Sequence, residues 1–94
     1  MPASRDAVVR VVLDADLHAR PAGQVARIAA TFSAAVAVAT EMRSADARSV
    51  LAVMGLGAQA GETVTVTASG PDAAEAADAI AQVLTTADEA VLRH

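Results

Sequence analysis

Leu17-His18-Ala19-Arg20-Pro21-Ala22 is the stretch of this 94-residue chain whose residue types and spacing could do chemistry. From His18 to Ser33, apolar residues recur at three- and four-residue steps: Ala22, Val25, Ile28/Ala29 and Phe32. That period predicts a helix over 18–33. Pro21 falls in its first turn, where a missing N–H costs nothing. A helix start presents unpaired N–H groups and the positive end of the helix dipole. A phosphate placed there is held by backbone amides without a glycine-rich loop. His18 stands where its ring can hang over that end, and Arg20 can offer a charge-assisted fork to phosphate oxygens. Neutral imidazole is a nucleophile near neutral pH, and a P–N bond is labile enough to pass the group onward. On this local chemistry alone, a histidine at a helix start is more often a plain cap or surface residue.

Composition removes other chemistries. There are no cysteines, so disulfides, thiolate metal sites and cysteine nucleophiles are excluded together. Only two histidines exist, and one, His94, is the last residue, where a frayed tail is expected. No metal site, hydrolytic triad or cofactor is expected. The net charge is −4, every basic residue is arginine, and Phe32 is the one aromatic side chain. Nucleic-acid binding wants a basic footprint and aromatic platforms, and both are missing. The charge is uneven: residues 20–60 balance at +2 and residues 61–94 at −5. A relatively basic middle could meet an acidic partner. No apolar run approaches the roughly 20 residues needed to span a bilayer. The opening Met1-Pro2-Ala3-Ser4-Arg5-Asp6 lacks the order of a signal peptide. A soluble, cytoplasmic, monomeric protein without membrane insertion is expected.

The elements that must position His18 are legible as a single domain over residues 1–94. Residues 7–13 are β-branched and short, a strand with Val9, Val11 and Leu13 on the face away from Arg10. After the predicted helix, residues 35–40 suggest a second strand and 43–48 a weaker third. Ser49 can cap a short helix from Val50 to about Met54 that stops at Gly55 and Gly57. Residues 62–68 alternate cleanly, placing Val64 and Val66 inside. Asp72-Ala73-Ala74-Glu75 has the form of an Asp capping box. The helix it opens has an inner stripe of Ala73, Ala76/Ala77, Ile80, Val83/Leu84 and Ala87. The order β-α-β-β-α-β-α suits an α+β open-faced sandwich, with helices packed on one face of a four-stranded antiparallel sheet.

Leu17 to Ala22 resemble, in six consecutive positions, the active-site signature of the HPr family, the histidine-containing phosphocarriers of the bacterial phosphotransferase system. That signature reads glycine, Leu or Ile, then His-Ala-Arg-Pro-Ala. Arg48 to Gly57 resemble the family's second signature: a basic residue, a serine, a short apolar helix and Leu-Gly. Gly61-Glu62 and the closing helix after Gly70 fall at the family's spacing, so the resemblance covers nearly the whole domain.

The resemblance implies an HPr-like sandwich with three helices. It implies that His18 accepts a phosphoryl group at Nδ1 from phospho-enzyme I and donates it to enzyme IIA domains in sugar uptake. Arg20 balances charge on the transferring group, the amides of Ala19 and Arg20 hold its oxygens, and Pro21 fixes the helix entry. Such a protein is a phosphoryl-transfer intermediate, not a stand-alone enzyme. Ser49 matches the family's regulatory serine, the substrate of a dedicated kinase and phosphatase in some bacteria. Its plainer role is to cap its helix. Val50, Leu51 and Met54 match the apolar patch that both partners use, whereas Val53 reads as core. Arg27 and Arg48 match basic positions suited to an acidic partner.

Two positions depart from the family pattern. Asp16 stands where the family has glycine, and Ala15 where a small polar residue is often found. Asp16 tolerates a turn almost as well as glycine but adds a negative charge that opposes phosphate on His18 and slows transfer. Two other readings remain open: a paralogue serving a nitrogen-type or dihydroxyacetone kinase phosphorelay, and a non-catalytic module that binds a regulator.

Overall fold

A computed structural model describes residues 6–86 of the chain. The described elements run β1 (Asp6–Val12), α1 (Ala19–Ala29), β2 (Ala35–Ala39), β3 (Ser44–Asp46), α2 (Val50–Met54), β4 (Thr63–Ser69) and α3 (Ala73–Thr86). The strands form one sheet in the order β1-β4-β2-β3, and every neighbouring pair is antiparallel. The element order along the chain and the α+β antiparallel class are those that the alternation of patterns predicts.

Register decides which face is buried. Val9 and Val11 lie opposite Val66 and Val64, Val36 and Val38 opposite Ala68 and Val66, and Ala45 opposite Val38. Because side chains alternate along a strand, these residues share one face. Apart from the half-buried Val9, all of them are buried. The other face carries Val8, Arg10, Val12, Thr63, Thr67 and Ser69, all exposed. One covered face and one open face make the sandwich. Its interior is valine and alanine with few larger groups: Val25, Val38, Val53, Val64, Val66 and Ile80 are the largest fully buried side chains. Ala22 and Ala29 of α1 and Ala73, Ala76 and Ala77 of α3 are buried too. Side chains this short let α1 and α3, which contact each other, lie close.

Several boundaries differ from the sequence reading. Helix α1 ends at Ala29 instead of Ser33, with Ala30 as its C-cap. Thr31 and Phe32 then turn by short-range bonds, the Thr31 and Phe32 N–H groups donating to the Ile28 and Ala29 carbonyls at 3.0 and 3.2 Å. Phe32 is still half-buried against the core, which is why its spacing reads as helical. Helix α2 runs as expected from Val50 to Met54 and is capped by Gly55 with a right-handed backbone (φ −65°), while Gly57 is left-handed (φ 66°). The stripe on α3 is as expected from Ala73 to Leu84, with Ala81 also buried. Ala87 and His94 lie outside the described residues.

Asp72 does not close a capping box. Its carboxylate reaches across the molecule to the α1–β2 connection. Ser33 N–H donates to Oδ2 at 2.9 Å and Ala34 N–H to Oδ1 at 2.8 Å. The Ser33 amide above all, with the Ala34 amide, holds the carboxyl below its ordinary value near 3.8, against an opposing push from partial burial. A carboxyl lowered on folding adds stability that is complete above the unfolded value and lost as pH falls through the folded one. Unfolding midpoints measured from about pH 5 down to about pH 2 should therefore fall more steeply for the wild type than for Asp72→Asn. Parallel curves would remove this role.

Candidate functional site

Helix α1 begins where the chain leaves β1, and the connection between α2 and β4 holds that junction. Leu13 N–H donates to the Glu62 carbonyl and Gly61 N–H to the Leu13 carbonyl, both at 2.9 Å. Leu17 N–H donates to the Ala58 carbonyl at 3.0 Å, and the Leu17 side chain is buried. Burying Leu17 forces its neighbour His18 outward, and His18 is exposed.

His18 is the N-cap of α1, with extended backbone (φ −86°, ψ −165°). Its Nδ1 accepts the Arg20 N–H at 3.4 Å. As an acceptor, Nδ1 turns its lone pair toward the helix start; in the neutral ring the proton is then on Nε2. The contact is long for an N–H···N bond, so little free energy holds the nitrogen there and an incoming electrophile can displace it. Pro21 has no N–H, and the Ala22 N–H donates to the His18 carbonyl at 3.1 Å. Ala19 and Arg20 are therefore the residues at this helix start whose amides can reach an anion placed at His18. Arg20 is exposed, its guanidinium reachable from solvent. The structure places His18 and the backbone amides of Ala19 and Arg20 together at one helix start.

The second set of residues sits on α2, which contacts α1. Ser49 caps it, its Oγ accepting the Ala52 N–H at 3.1 Å, so the structural role of that serine is present. Val53 is fully buried, while Leu51 is 80 % exposed and Val50 and Met54 are each 36 % exposed. That split matches the expectation of an apolar patch with Val53 turned inward. Leu17 is bonded to Ala58, just past the end of α2, and the Arg48 guanidinium donates to the Phe32 carbonyl at 2.9 Å, just past the end of α1. Helices α1 and α2 consequently run in opposite directions. His18 lies toward the Met54 end of α2, and Arg27, in the last turn of α1, lies toward Ser49. Arg48 is exposed but positioned by its bond to Phe32, a tie that the sequence reading did not include.

Sequence reasoning also missed what holds the loop before His18. The Asp16 carboxylate accepts the Ala60 N–H at 2.8 Å, across 44 residues of sequence. The Glu62 carboxylate accepts the Gln59 N–H at 2.6 Å and braces the turn that supplies Ala60. Among the described residues, no group of three or more His, Cys, Asp or Glu side chains could hold a metal ion. No described helix is long and apolar enough to cross a membrane.

Fold and site together define a small α+β domain that presents a histidine ring nitrogen at an exposed helix start. The chain belongs to the HPr family: the family model described as the PTS HPr component phosphorylation site matches residues 6–86. It is 41 % identical over 69 residues to the phosphocarrier protein HPr of Lysinibacillus sphaericus, covering 73 % of this chain and 78 % of that one. The HPr of Vibrio cholerae serotype O1 is 37 % identical over 70 residues, 74 % of this chain and 82 % of its own. In structure it is similar to an HPr from Bacillus anthracis, with a TM-score of 0.79 at 29 % identity, covering 85 % of this chain and 98 % of that one.

Proposed function

We propose that this protein is a phosphocarrier of a bacterial phosphotransferase system and that His18 carries the group. The observation that supports it most is the placement of the His18 Nδ1 lone pair at the start of α1, beside the amides of Ala19 and Arg20. In this reading Nδ1 attacks the phosphorus of phospho-enzyme I in line. The new N–P bond forms as the donor's P–N bond breaks, and the proton on Nε2 stays where it is. The phosphoryl oxygens then meet the Ala19 and Arg20 amides and the Arg20 guanidinium, which offset their charge. The reverse sequence delivers the group to an enzyme IIA domain, and no metal or cofactor on this chain is required. The apolar residues Val50, Leu51 and Met54 dock both partners, with Arg27 and Arg48 meeting acidic groups at the rim. Phosphorylation of Ser49 would place about two negative charges beside that patch and oppose docking.

The test is incubation with phosphoenolpyruvate and enzyme I. An acid-labile, alkali-stable phosphate on the protein, and its transfer to an enzyme IIA domain, supports the carrier reading; no such phosphate rejects it. The docking role has its own check. Leu51→Glu should weaken productive encounter with phospho-enzyme I by about 10-fold, the order expected for one interface anchor. Because Leu51 is exposed, the thermal midpoint should hardly move. An unchanged rate would remove Leu51 from the interface.

A further inference from the structure

The long His18–Arg20 contact poses a question of aim. A bond of 3.4 Å on an exposed ring does not fix the ring's direction, so the backbone of residues 16–18 must do so. That backbone is tied at three consecutive residues. The Leu17 N–H is held by the Ala58 carbonyl, and the His18 N–H donates to the Asp16 carbonyl at 2.9 Å. The third tie is the one made by a side chain, from Asp16 Oδ1 to the Ala60 N–H at 2.8 Å.

We propose that Asp16 is the positioning residue of His18. Its carboxylate fastens the β1–α1 loop to the Ala58–Glu62 turn, so that the Asp16–His18 turn sets the Cα–Cβ direction of the histidine over the helix start. This rests on the reading of His18 as the phosphoryl acceptor. It also gives Asp16 a consequence opposite to that of its charge. The charge opposes a second anion nearby, while the anchor holds the nucleophile where in-line attack needs it. Transfer between two histidines requires the reacting atoms about 3–3.5 Å apart, and a misplacement of an ångström can lower the rate by about 100-fold. A glycine at this position has no side chain to reach Ala60, and it widens the conformations open to the loop.

Asp16→Asn and Asp16→Gly separate the two effects. Asparagine keeps an oxygen that can accept the Ala60 N–H and removes the charge; glycine removes both. With phospho-enzyme I as donor, Asp16→Asn should transfer at least as fast as the wild type. Asp16→Gly should lose roughly 10-fold or more in the maximal transfer rate, with an unchanged half-saturating concentration of this protein. A merely stabilising residue would lower the thermal midpoint of Asp16→Gly without that split. If Asp16→Gly is as fast as the wild type or faster, charge governs and the proposal fails. If Asp16→Asn is as slow as Asp16→Gly, the anchor is not what matters and it fails again.

A second readout does not depend on phosphorylation. Exchange of the Ala60 amide proton should be slow in the wild type and Asp16→Asn but fast in Asp16→Gly, and the His18 backbone should lose order, read as a lowered N–H order parameter, only in Asp16→Gly. Unaltered His18 backbone order in Asp16→Gly overturns the positioning role. A wild type that takes no phosphoryl group but behaves as stated in these two measurements overturns the carrier reading instead.

Discussion

Replacing His18 with alanine is expected to abolish phosphorylation, a loss of roughly 1,000-fold or more in the rate at which phosphate from phospho-enzyme I appears on the protein. A removed nucleophile has no substitute, and losses of at least that order follow such deletions elsewhere. The other histidine is the last residue of the chain, far in sequence from the α1 start, and in the proposed mechanism the Ala19 and Arg20 amides and the Arg20 guanidinium would meet phosphate oxygens without bonding to phosphorus. His18→Gln sharpens the test. Its amide can still cap α1 and keep the loop in place, so folding should be retained while the label stays absent. His18→Ala removes the cap as well, yet the 3.4 Å contact it loses is weak and exposed, so its thermal midpoint should drop only slightly. Mass spectrometry after incubation, with acid and alkali treatment of the label, reads the outcome. A phosphate that persists on His18→Gln with the same acid lability would place the acceptor elsewhere and end the assignment.

The parts of this molecule that sequence made legible are those encoded locally. The alternation over 62–68 and the three- and four-residue spacing after His18 are periods of one element, and each appears in the structure at nearly the expected place. Ser49 as the cap of α2 is local too, since its hydroxyl reaches only to Ala52. The histidine was legible for a different reason: its neighbours Leu17, Ala19, Arg20, Pro21 and Ala22 form a signature, and local chemistry would have left it an ordinary cap. What stayed hidden are contacts between segments far apart in sequence. Asp72 has the spacing of a capping residue, and nothing within four residues reveals that Ser33 and Ala34 have unpaired amides for it to take. Asp16 reads as a charge that replaces a glycine, because its partner Ala60 is 44 residues away. The early end of α1 has the same origin: Phe32 continues the helical spacing because the core needs it there, while the backbone has already turned.

The same long-range junction produces the largest expected effect on stability, at Gly70. This residue joins β4 to α3 with φ at 141°, a backbone that side-chain-bearing residues rarely adopt. A Cβ placed on it would lie 2.9 Å from the Ala34 Cα and 3.3 Å from the Ala34 Cβ. Neither neighbour can move aside. Ala34 is buried, and its N–H is held at 2.8 Å by Asp72, two residues beyond Gly70 itself. The clash is thus with backbone locked from both sides, and a substitution must either break the Asp72 clamp or shift α3 off the sheet. Backbone strain and overpacking each cost about 1–3 kcal/mol, so Gly70→Val should lose roughly 3–5 kcal/mol. A domain of this size has roughly 5–14 kcal/mol of stability in total. At about 4–8 °C per kcal/mol, the thermal midpoint should fall by at least about 12 °C. Gly70→Ala, with the same Cβ and a smaller side chain, should lose nearly as much, because the Cβ and the positive φ are shared by both variants. A calorimetric scan in which Gly70→Ala unfolds with the wild type would mean that the β4–α3 junction can relax, and that Asp72 grips a loop with more freedom than its two short hydrogen bonds imply.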